Sequence, residues 1–163
     1  MPISDSDLAA VAKQIGREPR GVRAVAFRCP CGKPAVIEND PRLPDGEPFP
    51  TLFYATCSKL NSAIGTLEGS GLMKELEEQL EVDSELKARY QLAHQDYLQR
   101  RNEIEVLPEK LDFSAGGMPT RVKCLHALIA HSLATGDGVN PIGELALAKL
   151  PKWWETGACV SDE

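Results

Sequence analysis

The spacing of apolar residues changes period near residue 58, and this constrains the fold more than any other feature of the chain. Upstream, apolar positions alternate. Val25 and Phe27 share one side of "GVRAVAFRC", and Phe53, Ala55 and Cys57 share one side of "TLFYATC", the two-residue repeat of a strand. "PAVIEN" lies between them, joined to the first by the tight "CPCGK" turn, so these two segments read as a hairpin. Downstream, apolar residues recur every three or four positions, as in Leu72, Leu76 and Leu80 or Leu86, Tyr90, Ala93 and Tyr97. That is the repeat of a helix with one buried face. The stretch "DPRLPDGEPFP" at 40–50, with its four prolines, continues neither pattern and is expected as a loop.

The result is an α+β expectation for the 163 residues: a single domain with a small antiparallel sheet of about three strands near the N-terminus. The sheet region spans about 20–58 and packs on a mostly helical C-terminal part over about 59–150. A short helix precedes the sheet, because Leu8, Val11, Ala12 and Ile15 fall on one stripe and Gly16 stops it. "SKLNSAIGTL" reads as a helix with Leu60 and Ile64 inward. "TRVKCLHALIAHSLATG" is apolar almost all round and reads as the central buried helix over about 120–135. "NPIGELALAKL" opens with Asn140 as cap and Pro141 in the first turn. The acidic run from Glu75 to Glu85 lies at helical spacing among lysines and reads as a solvated face. The pair in "PKWWE" reads as a clamp for the terminal segment.

Charge removes some functions. Asp and Glu outnumber Lys and Arg by 24 to 18, a net −6, so there is no global attraction to nucleic acid or to an anionic membrane surface. No apolar run approaches the ~18 residues of a membrane span. The N-terminus lacks the basic and apolar regions of a secretory signal. Neither nucleic acid binding nor membrane insertion is expected. A cytoplasmic location is, and there thiols stay reduced. Five cysteines, an odd number, then point to buried thiols, metal ligands or a reactive cysteine.

Cys29 and Cys31 flank Pro30, which favours an extended Cys29 and puts both sulfurs on one side. Their Cα atoms should lie about 6.6 Å apart, from a rise of ~3.3 Å per residue. Cys57 joins them at one end of the sheet if its strand neighbours the first. A fourth ligand must come from "KCLHALIAH". In a regular helix Cys124 and His126 point about 200° apart, and Cys124 and His131 lie about 10.5 Å apart along the axis. Cys124 is therefore the expected fourth thiolate, with His126 feasible where the helix begins late. Cys29, Cys31, Cys57 and Cys124 form the candidate metal set, with zinc as the candidate ion. Buried reduced thiols remain open as the alternative. Cys159 is the least expected participant.

The loop "FSAGGMPTRVKCLH" sets two glycines before a helix start. Gly116, Gly117, Thr120, Arg121 and Lys123 are candidates for binding phosphate or carboxylate, since helix N-termini attract anions. A tight turn capped by Thr120 is the plain alternative. The same N-terminus, with two cations beside it, would acidify Cys124 and make it a nucleophile. His126 or His131 would serve as base, although no carboxylate is evidently placed to orient either one.

Together "RCPCGKP", "FPTLFYATC", "SAGGMPTRVKCLHALIAHSLA", "NPIGELAL" and the closing "WW" with its later cysteine resemble an uncharacterised bacterial family, domain of unknown function five hundred and one. Ser58 stands where that family is expected to carry proline. The resemblance implies no activity and transfers no catalytic residue. It implies cytoplasmic bacterial proteins whose genes often neighbour those for septum initiation and exopolyphosphatase. The expected function is thus a non-catalytic interaction or regulatory protein with a clustered-cysteine site and an unidentified protein partner, linked to cell division. A cysteine-dependent enzyme acting on a phosphorylated or acyl substrate is one alternative. A phosphate-binding protein without chemistry is the other.

Overall fold

A computed structural model describes residues 3–157. Helix α1 (Asp5–Ile15) begins where the Ser4 hydroxyl accepts the Asp7 N–H and ends at Gly16, whose φ of 75° only glycine adopts freely. Three strands follow: β1 (Val22–Arg28), β2 (Pro34–Asn39) and β3 (Phe53–Ala55), hydrogen-bonded in the order β1-β2-β3 and antiparallel throughout. The central strand is the buried one, with Ala35, Val36 and Ile37 all in the core. The β1–β2 turn closes with Gly32 N–H on Cys29 C=O at 2.8 Å.

Helices α2 (Ser58–Glu68), α3 (Leu72–Val82), α4 (Ser84–Ile104), α5 (Leu125–Thr135) and α6 (Pro141–Leu147) complete the α+β fold. The periodicities hold: Leu72, Leu76 and Leu80 are buried on α3, and Leu86, Tyr90, Ala93 and Tyr97 on α4. Each buried leucine contributes about 1.5–3 kcal/mol. Two polar residues extend the buried stripe of α4. His94 lies 2.6 Å from the Ser114 hydroxyl, and Arg101, fully buried, donates to the carbonyls of Pro50, Lys110 and Phe113. The proline-rich loop is clamped to the end of α4, where Arg42 pairs with Glu105 and Glu109, each at 2.8 Å.

Helix α5 packs against all three strands and against α2 and α6, which makes it the central helix that its composition predicts. Its contact with α6 is close. A Cβ at Gly143 would run into the Leu128 carbonyl and the Ser132 hydroxyl, so the glycine of "NPIGELAL" is a packing requirement. Asn140 caps α6 by accepting the Gly143 N–H at 2.9 Å. Trp153 and Trp154 meet edge to face with centroids 4.7 Å apart, Trp153 buried in the core.

One element departs from expectation. Helix α5 starts at Leu125, with Cys124 as an extended N-cap residue (φ −149°, ψ 106°), rather than near residue 120. Residues 116–124 are instead folded into a loop by their own carbonyls: Arg121 N–H bonds Gly117 C=O, and the amides of Lys123 and Cys124 bond Gly116 C=O. Helical periodicity alone does not register that competition.

Candidate active site around Cys124

The late start of α5 decides the chemistry. An extended Cys124 is released from the helical azimuth that would separate it from His126, and the two side chains meet across the first turn. Hydrogen bonding to His126 lowers the thiol's pKa below its ordinary value and outweighs burial, which raises it; the Ala127 amide facing the sulfur adds to the lowering. In return, the bond to Cys124 raises His126 against burial, and the Glu68 charge raises it further, to about 9.

Glu68 comes from the last position of α2. One of its carboxylate oxygens lies 3.2 Å from His126 Nδ1, and the other accepts the Leu125 N–H at 2.9 Å. The carboxylate thereby takes the place that an anion would occupy at the N-terminus of α5. The second ring nitrogen, Nε2, lies 3.3 Å from the Asn61 carbonyl. Both nitrogens of His126 thus face acceptors, an arrangement that only the doubly protonated ring satisfies. The histidine thus stands as a cation beside a thiol whose pKa is lowered.

Glu68, Cys124 and His126 are also, among the described residues, the one group of three or more metal-ligating side chains whose ligand atoms lie within 4.8 Å of one another.

Of the four thiols expected at one centre, Cys29 and Cys57 are buried in one core cluster with Cys31 packed against it, whereas Cys124 stands with His126. Cys29 and Cys31 stay together: the Cys31 amide donates to Cys29 Sγ at 3.5 Å, and the two thiols interact. Burial pushes the Cys29 thiol up, while the Cys31 amide and the nearby Trp153 indole oppose that rise. Cys57 caps α2, its sulfur accepting the Leu60 N–H at 3.5 Å. It follows β3, which neighbours β2 rather than β1. Cys124 belongs with His126. Cys159 lies outside the described residues.

The glycine loop is similarly occupied. Arg121 Nε and the Val122 amide both donate to Glu77 Oε1 at 2.9 Å. These bonds, the amide's first, hold the Glu77 carboxyl below its usual range. Thr120 and Lys123 are exposed, and neither lies in the first turn of α5. Gly116 and Gly117 have φ of 66° and 98°, and a Cβ on either would lie 2.7 Å from Leu128 or from the Arg121 carbonyl. Their small size serves this tight turn. The internal carboxylates of Glu77 and Glu68 stand where an external anion was expected.

His131 is not brought to Cys124. It is fully buried, with Nε2 donating to Asp96 at 2.9 Å and Nδ1 accepting from the Asn140 amide at 3.1 Å. Burial raises the Asp96 carboxyl, but bonds from His131 and Arg100 outweigh it and leave the pKa lowered.

Sequence reasoning missed Glu68 and Asn61. Glu68 did leave a signal: an acid at the C-terminal end of a helix opposes the helix dipole and needs a partner elsewhere. Asn61 contributes a backbone carbonyl, which has no signature in its side chain.

Cys124 and His126 open onto a cleft of about 400 Å³ bordered by β3 and α2. No helix is long and apolar enough to cross a membrane among the described residues. No curated protein and no solved structure matches the chain. The family model described as "Protein of unknown function (DUF501)" matches residues 25–148, a span that includes Glu68, Cys124 and His126, and the chain belongs to that family.

Proposed function

We propose that the protein is a cysteine-dependent enzyme in which Cys124 is the nucleophile, His126 the acid–base partner and Glu68 the group that orients the histidine. The observation that carries this reading is the placement of His126 between two acceptors and a thiol. The chemistry is acyl transfer. Cys124 Sγ attacks a carbonyl carbon and forms a C–S bond, and the departing heteroatom takes the imidazolium proton as its bond to carbon breaks. Water then attacks the thioester, gives a proton to His126 and frees the acid and the thiolate.

The test is alkylation by iodoacetamide at neutral pH, with each cysteine followed by peptide mass spectrometry. Cys124 should react faster than in the urea-unfolded chain, because its lowered pKa raises the thiolate fraction at neutral pH. Equal rates would overturn the reading.

A second reading draws on the other thiols. Cys29 and Cys57 each accept a backbone N–H, the kind of bond that steadies a thiolate. This supports a zinc-stapled interaction protein using Cys29, Cys31 and Cys57, with the link to cell division resting on family resemblance alone. Zinc copurifying with untagged protein, and lost from Cys29→Ser, supports it. Metal-free protein of full stability rejects it.

A further inference from the structure

We propose that the cleft beside Cys124 receives a polypeptide in extended conformation, laid parallel to β3 along its unpaired edge. This deepens the acyl-transfer reading, on which it rests, by naming the substrate class.

β3 is an edge strand, since β2 covers only one of its sides. Two ladder bonds fix which groups face where. Thr56 N–H donates to Ala35 C=O, and Asn39 N–H to Leu52 C=O. With Tyr54 opposite Ile37, the alternation of an antiparallel ladder turns Tyr54 toward β2 and the backbone of Phe53 and Ala55 away from it. Of the four outward groups, two have partners. The Phe53 amide lies 3.4 Å from the Tyr97 hydroxyl, and the Ala55 carbonyl accepts the Asn61 side-chain amide at 3.0 Å.

The Phe53 carbonyl and the Ala55 N–H are left with no hydrogen bond among the described residues. Phe53 and Ala55 are only 4% and 7% exposed, and a backbone donor so nearly buried is almost always paired in a native protein. Both residues border the same cleft as Cys124 and His126.

The free pair is selective. An added antiparallel strand uses the N–H and C=O of one residue on its host, whereas a parallel strand uses the C=O of one residue and the N–H of the next but one. Phe53 C=O and Ala55 N–H match the parallel pattern: one residue of the incoming chain, opposite Tyr54, satisfies both. Main-chain pairing of this kind recognises peptides largely regardless of side chain. It would set the peptide's carbonyls beside the thiolate.

The experiment compares two reagents bearing the same warhead, iodoacetamide and iodoacetyl-trialanine amide, together with copies of the latter N-methylated at each amide in turn. Cys124 alkylation should be about tenfold faster with the tripeptide, the worth of one or two main-chain hydrogen bonds, and one N-methylation should abolish the gain. Ala55→Pro, which deletes the outward N–H and spares the β2 ladder, should also reduce the gain. The N-methyl series uses the native protein, so it stands even if that variant misfolds. Equal rates for the two reagents, or a gain that survives every N-methylation, would overturn the proposal.

A separate arm distinguishes this failure from failure of the nucleophile reading. Unreactive acetyl-trialanine amide should shift the Ala55 amide resonance in an NMR titration whether or not Cys124 is a thiolate. No shift there, alongside rapid iodoacetamide labelling, rejects the peptide and retains the nucleophile.

Discussion

His126 and His131 ride the same helix and differ in what their ring nitrogens meet. His131 lies between a donor, the Asn140 amide, and an acceptor, Asp96, so a single proton on Nε2 satisfies it. His126 lies between two acceptors, Asn61 C=O and Glu68, with a thiol alongside, and needs two protons. The first arrangement makes a histidine part of the core. The second makes it half of an ion pair. Hydrogen-bond partners, more than burial or neighbouring sequence, separate a structural imidazole from a chemical one.

The comparison breaks most visibly at His131. His131→Ala removes a ring that contacts Phe53 and Tyr97 and strands the Asn140 amide in the core. A loss of about 3 kcal/mol in urea unfolding is expected, from the cavity and the orphaned donor together. The folded fraction should keep its Cys124 alkylation rate. A loss below about 1 kcal/mol would mean that the buried network contributes little.

His126→Ala should do the reverse, moving stability by less than about 1 kcal/mol, as for other partly exposed pairs, while Cys124 alkylation at pH 7 falls about tenfold. The pH dependence sharpens this. His126 rises from 6.5 to about 9 on folding, so its stabilising contribution is complete below 6.5 and is lost as pH rises through 9. Cys124 is lowered from 9.0, so its contribution is complete above 9.0 and is lost as pH falls through its folded value. The pair is therefore fully formed between the lowered thiol value and about 9. Native and His126→Ala proteins should differ in labelling within that window and converge above it. A constant ratio across the range would show that the histidine does not control the thiol.

The smallest effect is expected from Glu68→Gln. It keeps an oxygen for the Leu125 N–H but removes a charge that raises both His126 and, directly, the Cys124 thiol. The two effects oppose, so labelling should change by less than about twofold. A fall of about tenfold would show that His126 holds its proton only because of Glu68.

Most of the architecture was legible because it is written in spacing. The Leu72–Leu76–Leu80 stripe, the Asn140 cap and the Gly16 stop each act over a few residues. The site was half legible. Cys124 and His126 could be chosen from one nonapeptide, yet whether they meet depends on where α5 begins, which Gly116 and Glu77 set from outside the helix. The orienting carboxylate was invisible for the same reason, since Glu68 reaches Leu125 only through the packing of α2 on α5. The order of the strands, with β2 between β1 and β3, was invisible too, because hydrophobic alternation does not record it.

The dependence on Glu68 and Asn61 has a consequence for the chain while it is being made. Each sits far upstream of the group it holds, with 57 residues separating Glu68 from Leu125 and 65 separating Asn61 from His126. Until those segments dock, the sulfur of Cys124 has the nucleophilicity of any cysteine in a nascent polypeptide, and side reactions with cellular electrophiles proceed at the ordinary pace. On the proposed reading its reactivity appears only once α2 has docked on α5, so the rate of alkylation doubles as a reporter of native-state formation.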